Sequence, residues 1–557
     1  MQHYLTYLDK SIKEHWSRPA FTNFGGVTYT YGQVAEGIEK YHILFEACGL
    51  KKGDKVALYA RNSAEWGIAY LAVVAYDAVV VPFLPDFLAG AVVELSRFSE
   101  CRMMICDGIA FDALKANEDV LKDMNSIKDF TCTVDVKDLS VFNIADKSLE
   151  GKLDGIDAKF AARYPNGLSP EMINYQKTDM EAVAVISFTS GTTSATSKGV
   201  VLPARSLSVN LEFARREIPV TVGGTIFSVL PMAHMFGQTF DFLFPFSGGC
   251  HVTILNGKPV PARLLAGLAA VKPFMFLTVP LVVEKIFKSK VFPTLRKPVM
   301  RVLMAIPGVN KLILNAIRKK LVEAFGGGLT TGLIIGGAAL NREVEDIMKK
   351  MNFPYCVGYG MTECGPLISY SDRSKFVKYS CGRPAVPIEV RIDSKDPYRV
   401  LGEIQCKGDA VMLGYYMNEE ATKATFTKDG WLKTGDMGVI DRKGNIFIKG
   451  RCKNMILSAS GQNIYPEEIE DQINNLPYII ESLVVARKNA LVALIVADFD
   501  SAKKDGLSNE ELEALINQNV KGLNKTLPAY SQISICELRV EPFEKTPKQS
   551  IRRFMYS

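Results

Sequence analysis

Histidine is scarce in this chain, with five scattered copies among 557 residues. We therefore do not expect a metal centre built from histidine. The eleven cysteines are an odd number and include no C-x-x-C pair. Secreted frameworks use even numbers of closely spaced cysteines, so the pattern predicts a reduced, cytosolic protein.

A strong net charge is also missing. The 66 basic and 60 acidic residues leave +6, which does not indicate nucleic-acid binding. The longest uncharged stretch, residues 218–240, contains glycine, proline and histidine, so it predicts buried strand and loop rather than a membrane helix. Asp9 and Lys10 precede any apolar core at the N-terminus, and we expect no signal peptide.

What the chain does have is a globular composition, 48% hydrophobic and 23% charged, and an alternation of short apolar runs with helical patterns. This alternation predicts an α/β fold with partly parallel sheets. Short strands with glycine turns after Gly402 predict a small β-rich module, and mixed helices and strands after Arg451 predict a separate α+β domain. We therefore expect a body of residues 1–450, with two α/β subdomains and the β-rich module, and a small mobile C-terminal domain of residues 451–557. The runs that predict buried strands lie at 56–60, 79–83, 102–106, 182–190, 225–230, 250–255, 274–279 and 329–337.

Positive charge is concentrated in one segment. Residues 285–320 contain ten Lys or Arg and no Asp or Glu, so this segment exceeds the net charge of the whole chain. Its apolar residues predict amphipathic helices. Two interpretations stay open: a solvated helical face, or a patch for an anionic membrane or a phosphate-rich cofactor.

A run of hydroxyls and glycines follows the predicted strand 182–190 and closes on Lys198. Backbone N–H groups and hydroxyls in such a turn can surround phosphate oxygens, and the lysine adds a positive charge. The run is not a Walker A loop, because Ser197 precedes the lysine and Gly199 follows it. An ordinary surface loop is the alternative.

Two further clusters suit a nucleotide. Gly358–Glu363 combines an aromatic ring, a hydroxyl and a carboxylate, which fits a nucleotide whose phosphates carry Mg²⁺, although a tight turn with a surface Glu fits equally. Asp436 follows a glycine turn, where a carboxylate can accept both ribose hydroxyls, and Arg451 can pair with it.

In this order and spacing the motifs resemble the ANL superfamily of adenylate-forming enzymes, from about Thr28 to Arg553. Within that superfamily the chain looks most like long-chain fatty acid CoA ligases. The resemblance implies an AMP-forming acid–thiol ligase that uses ATP, Mg²⁺ and coenzyme A. A carboxylate attacks the α-phosphate of ATP to give acyl-AMP, and the CoA thiol then attacks the acyl carbon. Because the carboxylate is already ionised, no histidine base is needed.

The resemblance also implies residue roles. Glu363 would hold Mg²⁺, Thr362 would lie near the α-phosphate, and His234 near the acyl carboxylate. Lys453 occupies the hinge position, and Ser460 with Gly461 would line the CoA channel. In ATP binding, the resemblance implies adenine contacts from Gly337, Ala338 and Tyr359 and ribose contacts from Asp436 and Arg451. The residues implied on the pyrophosphate side of ATP are Thr189, Ser190, Gly191, Thr192, Thr193 and Lys198.

The chain departs from the family at its C-terminal catalytic lysine. Alignment on Ile551 puts Ser550 at the lysine position, and Lys548 lies two residues earlier, on the same side of an extended segment. We expect Lys548 to substitute. If neither side chain supplies the charge, adenylation should be slow.

Three functions stay open: a fatty acid CoA ligase, an acyl-AMP ligase that loads a carrier protein, and a non-catalytic acyl- or nucleotide-binding relative. The expected location is cytoplasmic, with peripheral contact at the inner membrane surface through residues 285–320. Chain length of the acid and oligomeric state are not predicted.

Overall fold

The protein is described from a computed structural model. The structure describes residues 1–189, 197–257, 259–458, 462–487, 490–545 and 551–556. The predicted α/β fold, with a large N-terminal part and a smaller C-terminal domain, is confirmed.

Two large sheets form the N-terminal part, and parallel strands occupy the centre of each. In the seven-stranded sheet, six strands are parallel and Thr28–Thr30 pairs antiparallel at one edge. In spatial order its strands are Tyr355–Val357, Gly332–Ile335, Met275–Thr278, Thr225–Ser228, His251–Ile254, Pro19–Asn23 and Thr28–Thr30.

The eight-stranded sheet has five parallel central strands and antiparallel edges. Its spatial order is Gly414–Tyr415, Gly199–Pro203, Val183–Phe188, Val79–Pro82, Lys55–Tyr59, Cys101–Cys106, Cys132–Asp135 and Val141–Ile144. The apolar runs predicted as buried strands are therefore strands of these two sheets.

One continuous apolar core joins the two large sheets. The helix Ala64–Ala75 crosses this core, and all its residues except Glu65 are buried. It begins where the Ser63 hydroxyl accepts a hydrogen bond from the Trp66 N–H. Gly67 allows close approach, because a Cβ there would lie 3.1 Å from the Phe242 ring.

Helices cover both sheets. The uncharged stretch 218–240 contains the buried strand Thr225–Ser228, as predicted, but it ends in a π-helix, Gly237–Leu243, where the sequence predicted a loop. The helices of the N-terminal part are Tyr4–Glu14, Tyr31–Ala47, Ala64–Ala75, Ala89–Phe98, Gly108–Lys115, Glu118–Asn125, Ile156–Arg163, Ala204–Glu217, Phe244–Ser247, Pro261–Val271, Pro280–Ile286, Phe292–Leu295, Pro298–Ala305, Val309–Ala324, Arg342–Lys350 and Glu419–Thr425, with a second π-helix at Phe287–Val291.

The predicted β-rich module is an antiparallel four-stranded sheet, in the order Glu389–Asp393, Gly402–Lys407, Leu432–Ile440, Ile446–Arg451. A three-stranded sheet, Tyr359–Gly360, Leu367–Tyr370 and Arg383–Pro384, lies before it in the chain. The C-terminal domain contains a two-stranded sheet, Ile456–Leu457 with Asn463–Ile464, and a three-stranded sheet, Ile479–Arg487, Ala490–Ala497 and Ile533–Arg539. Its helices are Pro466–Ile473, Phe499–Lys504 and Asn509–Asn524. The exact domain boundary near residue 450 and the mobility of the domain stay predictions.

Residues 285–320 are helical, as their pattern predicted. In the described part of the chain no single helix has the length and apolar composition to cross a bilayer. The pair Pro298–Ala305 and Val309–Ala324 satisfies those criteria only when both are counted, and the chain bends by 118° between them.

Candidate active site

The predicted phosphate loop connects two antiparallel strands at the edge of the eight-stranded sheet. Phe188 pairs with Gly199, and Thr189 and Lys198 follow directly inside the loop. The Thr189 N–H donates to the Lys198 carbonyl at 3.0 Å, and the Lys198 N–H donates to the Thr189 hydroxyl at 3.3 Å. These bonds hold the two ends of the loop together. Ser190, Gly191, Thr192 and Thr193 lie outside the described residues.

Lys198 and Glu363 meet through Tyr415. The Lys198 ammonium lies 4.5 Å from the centroid of the Tyr415 ring, and the Tyr415 hydroxyl donates to Glu363 Oε1 at 2.9 Å. The short strand Gly414–Tyr415 pairs with Gly199–Pro203, which brings these distant positions together. Burial and the neighbouring Glu363 carboxylate raise the pKa of Tyr415, so the phenol stays a donor. A cation, a hydrogen-bond donor and a carboxylate therefore form one contact chain.

Tyr415 was missed by the sequence reasoning. Tyr415 lies in the strand Gly414–Tyr415, which has two residues. So short a strand shows no hydrophobic periodicity in the sequence, so its pairing with another strand could not be predicted.

The segment that carries Thr362 and Glu363 is a short 3₁₀ turn, Thr362–Cys364, after the strand Tyr359–Gly360. Both side chains are buried. Gly360 is required here, because a Cβ would lie 2.1 Å from the Pro366 carbonyl oxygen. The Met412 N–H donates to the Glu363 carbonyl at 2.8 Å. This bond fixes the turn against the chain segment that leads to Tyr415.

The two predicted ribose residues, Asp436 and Arg451, meet in the structure, and Tyr359, implied for adenine, contacts the same carboxylate. The Tyr359 hydroxyl donates to Asp436 Oδ2 at 2.7 Å, and Arg451 Nε lies 3.2 Å from Asp436 Oδ1. Asp436 and Arg451 are paired across neighbouring strands of the β-rich module. Burial raises the pKa of Asp436, and the Arg451 charge partly offsets this. The result is a buried carboxylate with a fixed orientation.

The predicted adenine and acyl positions lie at the carboxyl ends of parallel strands. Gly337 and Ala338 follow the strand Gly332–Ile335 and are exposed. The Phe236 ring lies against the preceding Gly336, where a Cβ would be 3.0 Å from it. His234 is half-buried two residues before Phe236, and its Nδ1 accepts from the Phe236 N–H at 3.3 Å. The structure thus brings the His234 segment next to the glycine turn.

A second residue, Asp241, was also missed. It is fully buried in the π-helix that follows His234, and its Oδ2 accepts from the Val229 N–H at 3.0 Å. Burial raises the pKa of Asp241 to about 7. The Asp241 carboxyl thus stabilises the chain directly after the strand Thr225–Ser228, which leads to His234.

The C-terminal positions are only partly described. Lys453 lies in a short 3₁₀ turn, Cys452–Asn454, directly after the strand that ends at Arg451. Ser460, Gly461 and Lys548 lie outside the described residues, as does Ser550. The hinge, channel and lysine roles stay predictions, as do the roles of the other site residues.

The C-terminal domain contacts the large part through polar groups. The Asn341 side-chain amide donates to Asp471 at 3.0 Å and to Asn475 at 2.7 Å. Lys288 donates to the Asn474 carbonyl at 3.1 Å. Glu468 accepts from Lys449 at 3.1 Å.

The remaining expectation for the site is a Mg²⁺ ion held by Glu363. Among the residues that the structure describes, no group of three or more His, Cys, Asp or Glu side chains could hold a metal ion. A nucleotide-bound Mg²⁺ needs only one or two protein carboxylates, because phosphate oxygens and water supply its other ligands. The buried Glu363 carboxylate beside Lys198 and Tyr415 fits that requirement.

Comparisons with known proteins identify the family. The profile of the AMP-binding enzyme family matches residues 8–416, and that of the AMP-binding enzyme C-terminal domain matches residues 453–556. The chain is 28% identical over 547 residues to a long-chain-fatty-acid–CoA ligase of Escherichia coli O6:H1, covering 92% of this chain and 88% of that protein. It is 27% identical to the long-chain-fatty-acid–CoA ligase FadD15 of Mycobacterium bovis, covering 94% and 89%.

Solved structures share the fold. ATP-bound MatB from Rhodopseudomonas palustris superposes with a TM-score of 0.76 at 22% identity, covering 100% of this chain and 98% of that one. The anthranilate CoA ligase AuaEII, solved with anthranoyl-AMP, gives a TM-score of 0.77 at 17% identity, covering 99% and 96%.

Proposed function

We propose that this chain, which belongs to the AMP-binding enzyme family and is an AMP-forming acid–CoA ligase, activates long-chain fatty acids. The observation that carries the choice of acid is the near full-length alignment with relatives named long-chain-fatty-acid–CoA ligases. Solved neighbours with the same fold include a ligase for an aromatic acid, so fold alone does not select the acid.

The first half-reaction joins an acid oxygen to the α-phosphorus of ATP. The O–P bond forms as the bond from phosphorus to pyrophosphate breaks, and no proton has to be removed from the ionised acid. The work left to the protein is to position the reactants and neutralise phosphate charge. Lys198 supplies a cation at the end of the phosphate loop, and Tyr359, Asp436 and Arg451 would orient the ribose.

Mg²⁺ is part of the proposal. When bound, the ion would neutralise phosphate oxygens of ATP. Glu363 would hold it, and the hydrogen bond from Tyr415 would fix the orientation of the Glu363 carboxylate.

The second half-reaction transfers the acyl group to a thiol. The CoA sulfur bonds to the acyl carbon, the thiol proton is released, and AMP leaves with the carboxyl oxygen. The Ser460–Gly461 segment would line the thiol channel once the C-terminal domain has rotated about Lys453. The alternative acceptor, a carrier-protein thiol, differs only in this step.

The test is acyl-dependent pyrophosphate exchange across saturated acids from short to long chains, followed by product analysis with CoA and with holo-carrier protein. We expect exchange to rise with chain length and CoA thioesters to accumulate. Best exchange with short or aromatic acids would contradict the choice of acid, and products only with carrier protein would change the acceptor.

The same exchange assay tests the C-terminal lysine. Lys548→Ala should slow exchange by about 10²–10³-fold, because the charge acts on the developing negative charge of the transition state. Lys545→Ala is the matched control, since the Lys545 ammonium is held by Glu481 at 2.7 Å within the same domain. Equal activity of the two variants would rule out the proposed role of Lys548, and recovery of a slow Lys548→Ala enzyme by Ser550→Lys would locate the required charge.

A further inference from the structure

The helices Pro298–Ala305 and Val309–Ala324, with the turn between them, form a surface feature that we call the basic hairpin. Its first helix has no buried residue. Val299 is 72% exposed, Val302 66% and Ile306 43%. Val299 and Val302, three residues apart, lie on one face of this helix, and Ile306 follows directly at its C-terminal end. Across the turn Leu312 is 71% exposed.

This concentration of exposed aliphatic side chains is unusual for a soluble surface, where single apolar residues are normal but contiguous patches mark binding sites. The catalytic contacts described above do not involve any of the four residues. Their exposure therefore requires a separate explanation.

We call the exposed side chains of Val299, Val302, Ile306 and Leu312 the apolar stripe. The charged residues in the segment around it have one sign. Residues 285–320 contain ten basic and no acidic residues. Within the described parts of the chain, Arg296 is the only one of the ten that forms an ion pair, with Glu343 at 3.2 Å. Lys297, Arg301, Lys311, Lys319 and Lys320 are exposed. Their positive charge is thus available to an anionic partner.

We propose that the basic hairpin docks on the surface of an anionic lipid bilayer. Lysine and arginine beside aliphatic side chains are the composition of helices that lie in the membrane interface, with the apolar face in the acyl boundary and the cations at the headgroups. The 118° bend fits two helices that lie on a bilayer rather than one that crosses it.

Charge complementarity favours lipid over a protein partner. Protein interfaces concentrate their binding energy in Trp, Tyr and Arg anchors. Of these types, residues 298–324 contain Arg301 and Arg318 but no Trp or Tyr, and their one acidic residue, Glu323, stands at the far end. The docking surface is independent of the proposed acid specificity, although a long-chain acid dissolved in the same bilayer would then be close to the enzyme.

The test is flotation of the full-length protein with phosphatidylcholine vesicles and with mixed phosphatidylcholine–phosphatidylserine vesicles. We expect binding to the mixed vesicles only, and weaker binding as salt is raised. Each cation near an anionic surface contributes about fivefold to partitioning. The combined Lys311→Gln, Lys319→Gln and Lys320→Gln variant should therefore lose about a hundredfold.

A second variant tests the apolar stripe. Val302→Ser combined with Leu312→Ser should reduce partitioning at least tenfold. The charge-matched control combines Lys395→Gln, Lys428→Gln and Lys443→Gln, three exposed lysines of the β-rich module, and the apolar control is Val400→Ser, 52% exposed. All four variants should retain pyrophosphate exchange with a short soluble acid.

Three results would overturn the proposal: no binding of the wild type to the mixed vesicles, unchanged binding of both hairpin variants, or equal loss in the controls. Self-association that depends on Val302 and Leu312, without vesicle binding, would identify a second copy as the occupant instead.

Discussion

Replacement of Asp436 by Asn isolates the predicted ribose contact. The two side chains have nearly the same volume, so the buried position is kept. The carboxylate accepts from the Tyr359 hydroxyl at 2.7 Å through one oxygen and lies 3.2 Å from Arg451 Nε through the other. Asn keeps one acceptor and puts an N–H₂ donor in the other position, facing groups that are themselves donors.

The magnitude follows from what the nucleotide loses. A hydrogen bond to a charged group contributes about 1.5–3 kcal/mol, and about 1.4 kcal/mol corresponds to a factor of ten. We therefore expect Asp436→Asn to weaken ATP binding by about 10–100-fold. The free energy of unfolding should fall less than the free energy of ATP binding. Burial already disfavours the Asp436 charge, and the Arg451 side chain, 70% exposed, stays solvated without its partner.

The assay is the ATP dependence of acyl-dependent pyrophosphate exchange, with calorimetric ATP binding and thermal unfolding of the same preparations. Asp429→Asn is the control, since Asp429 pairs with Arg391 at 2.6 Å in the β-rich module but is 57% exposed. An exposed pair contributes little, so ATP binding should change less than about twofold. Unchanged ATP affinity in a folded Asp436→Asn protein would refute the assignment.

Two further predictions concern the residues that the sequence reasoning missed. Tyr415→Phe removes the hydroxyl that donates to Glu363 and keeps the ring beside Lys198, so kcat for exchange should fall about tenfold. The control is Tyr416→Phe, which removes a hydroxyl that donates to Glu100 at the surface, and its kcat should be unchanged. Equal kcat values for the two variants would exclude a role for the Tyr415 contact. Burial raises the pKa of Asp241 to about 7, so the folded state keeps a proton that the unfolded state has lost, and stability falls as pH rises from about 4 to about 7. Between about pH 5 and about pH 8, the Tm of Asp241→Asn should therefore fall less than the Tm of the wild type. Parallel plots of Tm against pH for the two proteins would contradict this.

Eight of the fifteen strands in the two large sheets could be predicted, because a strand covered on both faces is a continuous apolar run, such as residues 56–60 or 102–106. Asp436 and Arg451 could be placed together from their motif order. The contact between Lys198, Tyr415 and Glu363 could not, because it depends on a two-residue edge strand more than 200 residues after Lys198. Asp241 could not either, since sequence rules exclude an unpaired carboxylate from a core.

The contacts of the C-terminal domain bear on its predicted rotation. In the described part of the chain its two apolar clusters contain only residues from Ile456 onward, so the domain has a core of its own. Its contacts through Asn341, Lys288 and Lys449 are polar, and water can replace each of them when the surfaces separate. A large apolar interface would lose about 25 cal/mol for every Å² exposed on separation and would hold one orientation. Polar contacts of this kind cost little to exchange, which supports a domain that leaves this orientation and returns to it between the two half-reactions.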